Sequence, residues 1–305
     1  MAASIEGIAM PTSPQLSIVT AVAHAHENVP AILAALQVER YPSVEFIFCH
    51  QAGDRETPDR IGESANVKVL VGSADALIPE LWRDGVRAAS GERVAFTTAH
   101  CVPAAAWVER LLQCELSDYV AAGGVIENDP NADARSWGIY LLRYSAVAPP
   151  LAPVETTGIA ADNAIYRREE IIRHQDLLQL GFWEPSFHER FIAAGMKLRL
   201  VPELKVMHCN RYTTLLFMRQ RRRHGRAFGL ERVDRYGAGR RLALVVLWPA
   251  APIIHFLKLA TAIWGRPHLR EHFAAALPWF VVFLLSWSIG EIQGYYAALV
   301  GQRYQ

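Results

Sequence analysis

The stretch 90–112, SGERVAFTTAHCVPAAAWVERLL, places Thr98, His100 and Cys101 in one short polar segment. Imidazole and thiol donors so close together are metal-capable, and an imidazole can ligate zinc or manganese. His24, His26 and His50 each follow an apolar run rich in β-branched residues. Imidazoles gathered on one rim would make that rim pH-sensitive near the ordinary value of ~6.5. Further along, Arg219, Arg221, Arg222, Arg223 and Arg226 crowd one segment just before a strongly apolar tail. Such a segment suits phosphate oxygens, which guanidinium forks grip in pairs, or anionic lipid headgroups. Cys49, Cys101, Cys114 and Cys209 show no C-x-x-C spacing, so free thiols in a reducing compartment are expected.

These side chains need a scaffold that brings strand ends together. LSIVTAV (16–22), VEFIFC (44–49), 67–71 and 93–97 read as buried strands of a doubly wound sheet. Between them, Asn28 is placed to cap a helix with Pro30 in its first turn, and 79–89 reads as a second helix. After the polar turn, Pro103 is expected to start a helix carrying Trp107, Leu111 and Leu112, and 120–128 to form another strand. A further helix is expected to begin near Tyr166. In such sheets ligands bind beyond the carboxyl ends of the strands, where Thr98, His100, His24 and His50 all fall.

The order of these segments resembles the family 2 glycosyltransferases of the GT-A fold. In that family GE-x-hydrophobic-AF precedes an Asp-x-Asp metal site and then x-P-x-x-W; here the two Asp positions are Thr98 and His100. LWRDGVRAASGE is similar to the family's A-R-N-x-G-x-x-x-A-x-G-E, and His50-Gln51-Ala52-Gly53 stands where D-D-G-S is common. Asp162-Asn163-Ala164-Ile165-Tyr166-Arg167-Arg168 resembles the acceptor-side segment G-x-N-x-A-Y-R-R. LGFWEPSFHERFIAAG, with a later VMH, is similar in spacing to the segment that carries the catalytic base and a late histidine.

The resemblance implies a GT-A mixed sheet with helices on both faces. It puts the general base on Glu184, with Glu189 as fallback, and the donor nucleotide at His24, His50, Thr98, His100, Arg222 and Arg223. The acceptor falls at Asp162 and Asn163, and the metal ligands at His100 and His208. The implied cofactor is a divalent metal (manganese, magnesium or zinc), although two imidazoles without a carboxylate suit zinc better than magnesium. MRQRRRHGRAFG resembles a Gln/Arg-rich segment that contacts the diphosphate and would supply part of a missing metal's charge.

At 305 residues and formal net charge +1, the chain is long enough for one substantial core plus an appendage, and its overall charge gives no reason to expect a nucleic-acid partner. A loose leader is expected over 1–14, a catalytic domain over 15–230 and a helical tail over 231–305. Within the tail, 242–264 is broken by Pro249, Pro252, His255 and Lys258, and reads as an interfacial helix or a kinked span. Segment 273–289 carries no charge, and 273–297 reads as a transmembrane helix, the alternative being a helical hairpin packed on the globular domain. The Arg cluster would face the cytoplasm, where nucleotide sugars are made. The expectation is a membrane-attached inverting transferase passing sugar from a nucleotide donor to a lipid-linked or cell-surface glycan. A non-catalytic glycosyltransferase-like scaffold in a glycan-assembly complex is the alternative.

Overall fold

The computed structural model describes residues 14–234 and 236–302, so the leader expected over 1–14 lies outside the described residues except for Pro14. The strands are β1 (Leu16–Val22), β2 (Val44–Gln51), β3 (Val67–Gly72), β4 (Arg93–Thr98), β5 (Cys101–Pro103), β6 (Ala121–Asn128), β7 (Val154–Thr156), β8 (Asn163–Arg167) and β9 (Leu198–His208). The helices are α1 (Val29–Leu36), α2 (Glu56–Ile61), α3 (Ile78–Ala88), α4 (Trp107–Gln113), α5 (Ala134–Tyr144) and α6 (Arg168–Arg173). They continue with α7 (Gln175–Leu178), α8 (Glu184–Ala193), α9 (Thr214–Asp234), α10 (Ala238–Leu247), α11 (Ala251–Trp264) and α12 (Pro267–Leu299).

All strands belong to one mixed sheet in the order β3-β2-β1-β4-β8-β6-β9-β5, with β7 added on β9. The half β3-β2-β1-β4 is parallel, and β8 then joins β4 antiparallel. Every residue of β1 is buried, because a central strand covered on both faces admits an uninterrupted apolar run. Gly85 of α3 lets that helix lie directly on β1, where a Cβ would collide with Val19. Chain order reverses at β1, with β2 on one side and β4 on the other. That reversal opens a crevice beyond Val22, Gln51 and Thr98.

Three local expectations are corrected. Pro103 ends β5 rather than starting a helix, and α4 begins at Trp107. Strand β5 lies at the sheet edge, where a residue without an N–H is tolerated. Tyr166 lies within β8 opposite Val94, and the helix starts at Arg168. Asn28 does not cap α1; its amide donates to the carbonyls of Ala99 (2.9 Å) and Cys209 (3.0 Å), tying the β1 loop to the two other strand ends.

The tail does not leave the body. Residues 239–264 and 267–299 are each long and apolar enough to cross a membrane by length and composition. Yet α12, which contains 273–297, lies against α5 and α9. Gly138 of α5 takes Trp279 and Phe280 against its bare backbone. Gly225 and Gly229 of α9 face Trp287 and Glu291, while Gly290 and Gly294 of α12 face Arg222 and Arg226. Two G-x-x-x-G segments therefore meet backbone to backbone, a contact only residues without side chains permit.

In an open helix, Gly→Ala stabilises by up to about 1 kcal/mol. At this crossing the sign should reverse: Gly225→Ala and Gly290→Ala should each destabilise by about 2 kcal/mol, read as a lower urea midpoint. Gly239→Ala, where the added Cβ meets nothing, should not.

Candidate functional site

The crevice is walled by residues from distant parts of the chain. Strands β1, β2 and β4 deliver His24, Gln51 and Thr98, and the antiparallel pairing of β5 with β9 sets Cys101 beside His208. The backbone N–H of Cys209 donates to the His100 carbonyl at 2.7 Å, fixing the turn after β4. Just past β1, His24 has φ 110 and Ala25 φ 62. Positive φ in residues that carry a Cβ is a strained conformation, and strain of this kind concentrates where a side chain must be aimed.

A buried polar cluster lies at the bottom, centred on Asp162. Its Oδ1 accepts from Arg143 (3.0 Å), Tyr144 (2.9 Å) and Thr98 (3.3 Å). Burial works against the Arg143 charge, but Tyr144 and Asp162 more than offset it, so the guanidinium stays charged. His208 and His100 are wholly enclosed nearby, with ring centroids 6.4 Å apart. Burial, then the neighbouring Arg143 charge, lowers His208 to about 3. Burial, His208 and Arg143 hold His100 far below its ordinary value. Both imidazoles are therefore neutral at physiological pH. Glu184 heads α8 and keeps part of its surface exposed. Burial of its carboxyl, reinforced by the Asp162 charge, raises it to about 8. Cys101 is fully buried and its thiol is pushed up by burial, which removes it as a reactive thiolate.

Above the cluster is an open cavity of about 180 Å³, lined by His24, Gln51, Leu77, Tyr212, Arg219 and Arg223, among others. Sharing Leu77 and Arg223, a wider cleft of about 830 Å³ continues past Asp75, Glu80, Arg226 and Gln302. Tyr212 separates cavity from cluster, stacked on His100 at 4.2 Å and edge-on to His24 at 5.7 Å. Arg219, Arg223 and Arg226 recur at helical spacing, which puts three guanidinium groups on the face of α9 turned to these spaces. Arg223 is also 3.3 Å from the Asp75 carboxylate. On the cluster side, Trp183 packs edge-on against His224, another residue of the cavity wall, at 5.8 Å.

The two imidazoles expected to hold a metal do come together, and the buried nitrogens Nδ1 and Nε2 of His100 and Nε2 of His208 have no hydrogen-bond partner among the described residues. No three His, Cys, Asp or Glu side chains among the described residues converge to hold an ion. Without a carboxylate or a third ligand, the pair does not fit magnesium or manganese.

Of the other residues expected at the site, His24 and Arg223 line the cavity and Thr98 reaches Asp162. His50 is buried just beneath, its Nδ1 at 3.0 Å from the Gln51 carbonyl. Arg222 points the other way, to Gln293 of α12 at 3.0 Å. Asn163 is fully buried, donating to the carbonyls of Val125 (2.8 Å) and Leu204 (3.0 Å) and accepting from Trp107 (2.8 Å). Its side chain is spent on joining β6, β8, β9 and α4. Sequence reasoning did not find Arg143, Tyr144 or Tyr212, which carry no local motif; Arg219 and Arg226 were legible from their spacing with Arg223.

No family model matches the chain. No curated protein sequence matches it either. Among solved structures it is similar to the mannosyltransferase PcManGT from Pyrobaculum calidifontis in complex with GDP-Man and Mn2+, with a TM-score of 0.56 at 14% identity over 92% of this chain and 87% of that one. At that identity the likeness is one of fold, and it bears out the mixed α/β sheet with its helical layers.

Asn163→Ala should destabilise the protein by about 2–4 kcal/mol, because it leaves two buried carbonyls and the Trp107 N–H unpaired. Thermal unfolding checks this; a change below about 0.5 kcal/mol would return Asn163 to the list of ligand-binding candidates.

Proposed function

We propose that this chain is an inverting glycosyltransferase, akin to family 2 and attached to a membrane, that moves sugar from a nucleotide donor to a lipid-linked or cell-surface glycan. The observation that carries the reading is Glu184, a carboxyl that burial and the Asp162 charge raise to about 8, whose neighbour Trp183 packs on His224 of the arginine-lined cavity. The fold likeness to a nucleotide-sugar enzyme supports the same reading. Both spaces suit a nucleoside diphosphate: His24 and Tyr212 offer ring faces, and Arg219, Arg223 and Arg226 offer paired donors to phosphate. In the reaction the acceptor oxygen bonds to the anomeric carbon as the bond from that carbon to phosphate breaks. Glu184 takes the acceptor proton, and the diphosphate leaves with the electron pair against the Arg row. Asp162, fixed by Arg143 and Tyr144, positions the sugar. The globular body would face the cytoplasm, where the donor is made.

A scaffold that binds nucleotide without turnover is the second reading, favoured by the absence of carboxylates at Thr98 and His100. In the enzyme reading, the deprotonated fraction of Glu184 grows as pH rises, so kcat/KM should climb through about 8. Glu184→Gln should cut turnover by about 10²–10⁴-fold and abolish that climb, with calorimetric nucleotide binding within about twofold of normal. Absence of turnover with every donor tested, alongside intact nucleotide binding, would make the protein a scaffold.

Arg223→Ala should weaken binding of a nucleoside diphosphate by about 10–100-fold, the loss of one or two charged hydrogen bonds. That binding should persist in EDTA. Its abolition by chelator, restored by zinc or manganese, would return the diphosphate to a metal held by His100 and His208.

A further inference from the structure

The tail is a two-layer helical slab, and only its outer layer faces away from the body. Helices α10 and α11 run antiparallel along α12: Arg241 donates to the Ala298 carbonyl (3.3 Å), Trp248 to that of Ser288 (2.7 Å), and Phe256 meets Phe280 (5.9 Å). On its opposite side α12 is held to the body throughout. Trp137 stacks on His272 (3.7 Å), Phe217 meets Phe283 (4.7 Å), Phe228 meets Trp287 (5.5 Å), and Arg226 donates to Gln302 (3.1 Å). At 1.5 Å per residue, the part of α12 from 272 to 299 is about 40 Å long, more than the ~30 Å hydrocarbon core of a bilayer. If α12 crossed a membrane, α5, α9 and the arginine-lined cleft beside them would have to enter the hydrocarbon with it. Each arginine carried to that depth costs several kcal/mol.

The outer face has a different character. Leu242, Val246, Ile253, Leu257 and Trp264 are each more than half exposed; a spacing of four in α10, and of four and seven in α11, keeps each helix's set on one stripe. Leu247 and Ile254 widen it. From 237 to 270 the chain carries Arg240, Arg241, Lys258, Arg266 and Arg270 and no carboxylate. Arg241 and Arg266 donate to carbonyls on the protein side (Ala298 and Ala148), which leaves the exposed Arg240, Lys258 and Arg270 to edge the stripe. An apolar stripe with exposed cations and no carboxylate complements an anionic lipid surface, and a second copy would bring like charges together.

We infer that the protein is monotopic: the α10–α11 stripe lies in the plane of an anionic bilayer surface, α12 stays on the protein side, and neither helix crosses. This deepens the membrane attachment proposed above and is independent of the transfer chemistry. The α11–α12 turn and the end of α12 are therefore on the same side of the membrane as the arginine-lined cleft.

The full chain, with Cys209 changed to Ser and single cysteines introduced as Glu189→Cys, Glu271→Cys or Gln302→Cys, would be added to sealed phosphatidylcholine vesicles containing about one-third phosphatidylglycerol. Vesicle binding is expected, about tenfold weaker on pure phosphatidylcholine, and all three cysteines should react with an impermeant maleimide without detergent. Leu247→Glu combined with Ile254→Glu should lower binding by at least about tenfold while leaving the circular dichroism and nucleotide binding intact. Reaction of Glu271→Cys only after detergent would mean a crossing and overturn the proposal. A folded, nucleotide-binding protein that ignores vesicles, or whose stripe is covered by a second copy in solution, would overturn it too and leave the transferase reading standing.

Discussion

The interaction on which the site depends is the buried ion pair between Arg143 and Asp162. A carboxylate enclosed this deeply is tolerated only where a cation and hydrogen-bond donors meet it, and Arg143, Tyr144 and Thr98 all converge on one oxygen. The same two charges set the state of their neighbours. Arg143 adds to the burial that keeps His100 and His208 neutral, and Asp162 adds to the burial that holds the Glu184 proton. Where the resemblance implies a metal between two carboxylates, this chain places a fixed guanidinium beside one.

Helix α9 makes cavity and tail one mechanical unit. Its face bearing Arg219, Arg223 and Arg226 borders the cavity and cleft, and an adjacent face bearing Gly225 and Gly229 is pressed on α12. Arg222 belongs to the second face, which is why it reaches Gln293 instead of the cavity. A displacement of α12 would thus carry the arginine row with it, because both faces belong to one rigid helix. Gln302, just past the end of α12, borders the cleft directly. The outer helices α10 and α11 present their apolar stripe on the side away from the body.

Much of this was legible from residue order alone. The buried strands β1, β2 and β4 and the polar turn at Thr98–His100 follow from apolar runs and from spacing, which are local properties, whereas Glu184 was singled out by the family resemblance alone. The G-x-x-x-G pairs at 225–229 and 290–294 acquired a meaning only when the two helices met. Asn163 illustrates the opposite case: its position in a segment resembling an acceptor site suggested a ligand, yet its amide is consumed by carbonyls 38 and 41 residues away. Pro103 likewise reads as a helix start until β9 arrives to pair with β5.

By itself, then, the sequence determined buried strands of an α/β sheet with polar residues at their ends, an arginine-rich helix and an apolar tail, because strand burial, helix periodicity and charge clustering are written in neighbouring residues. Only the tertiary structure decided which arginines face the cavity, that Arg143, Tyr144 and Tyr212 belong to the site, and that α12 lies along the body. Those outcomes depend on which surfaces meet across long chain separations. A buried charge finds its partner, and a bare glycine its neighbouring helix, only once the sheet has closed.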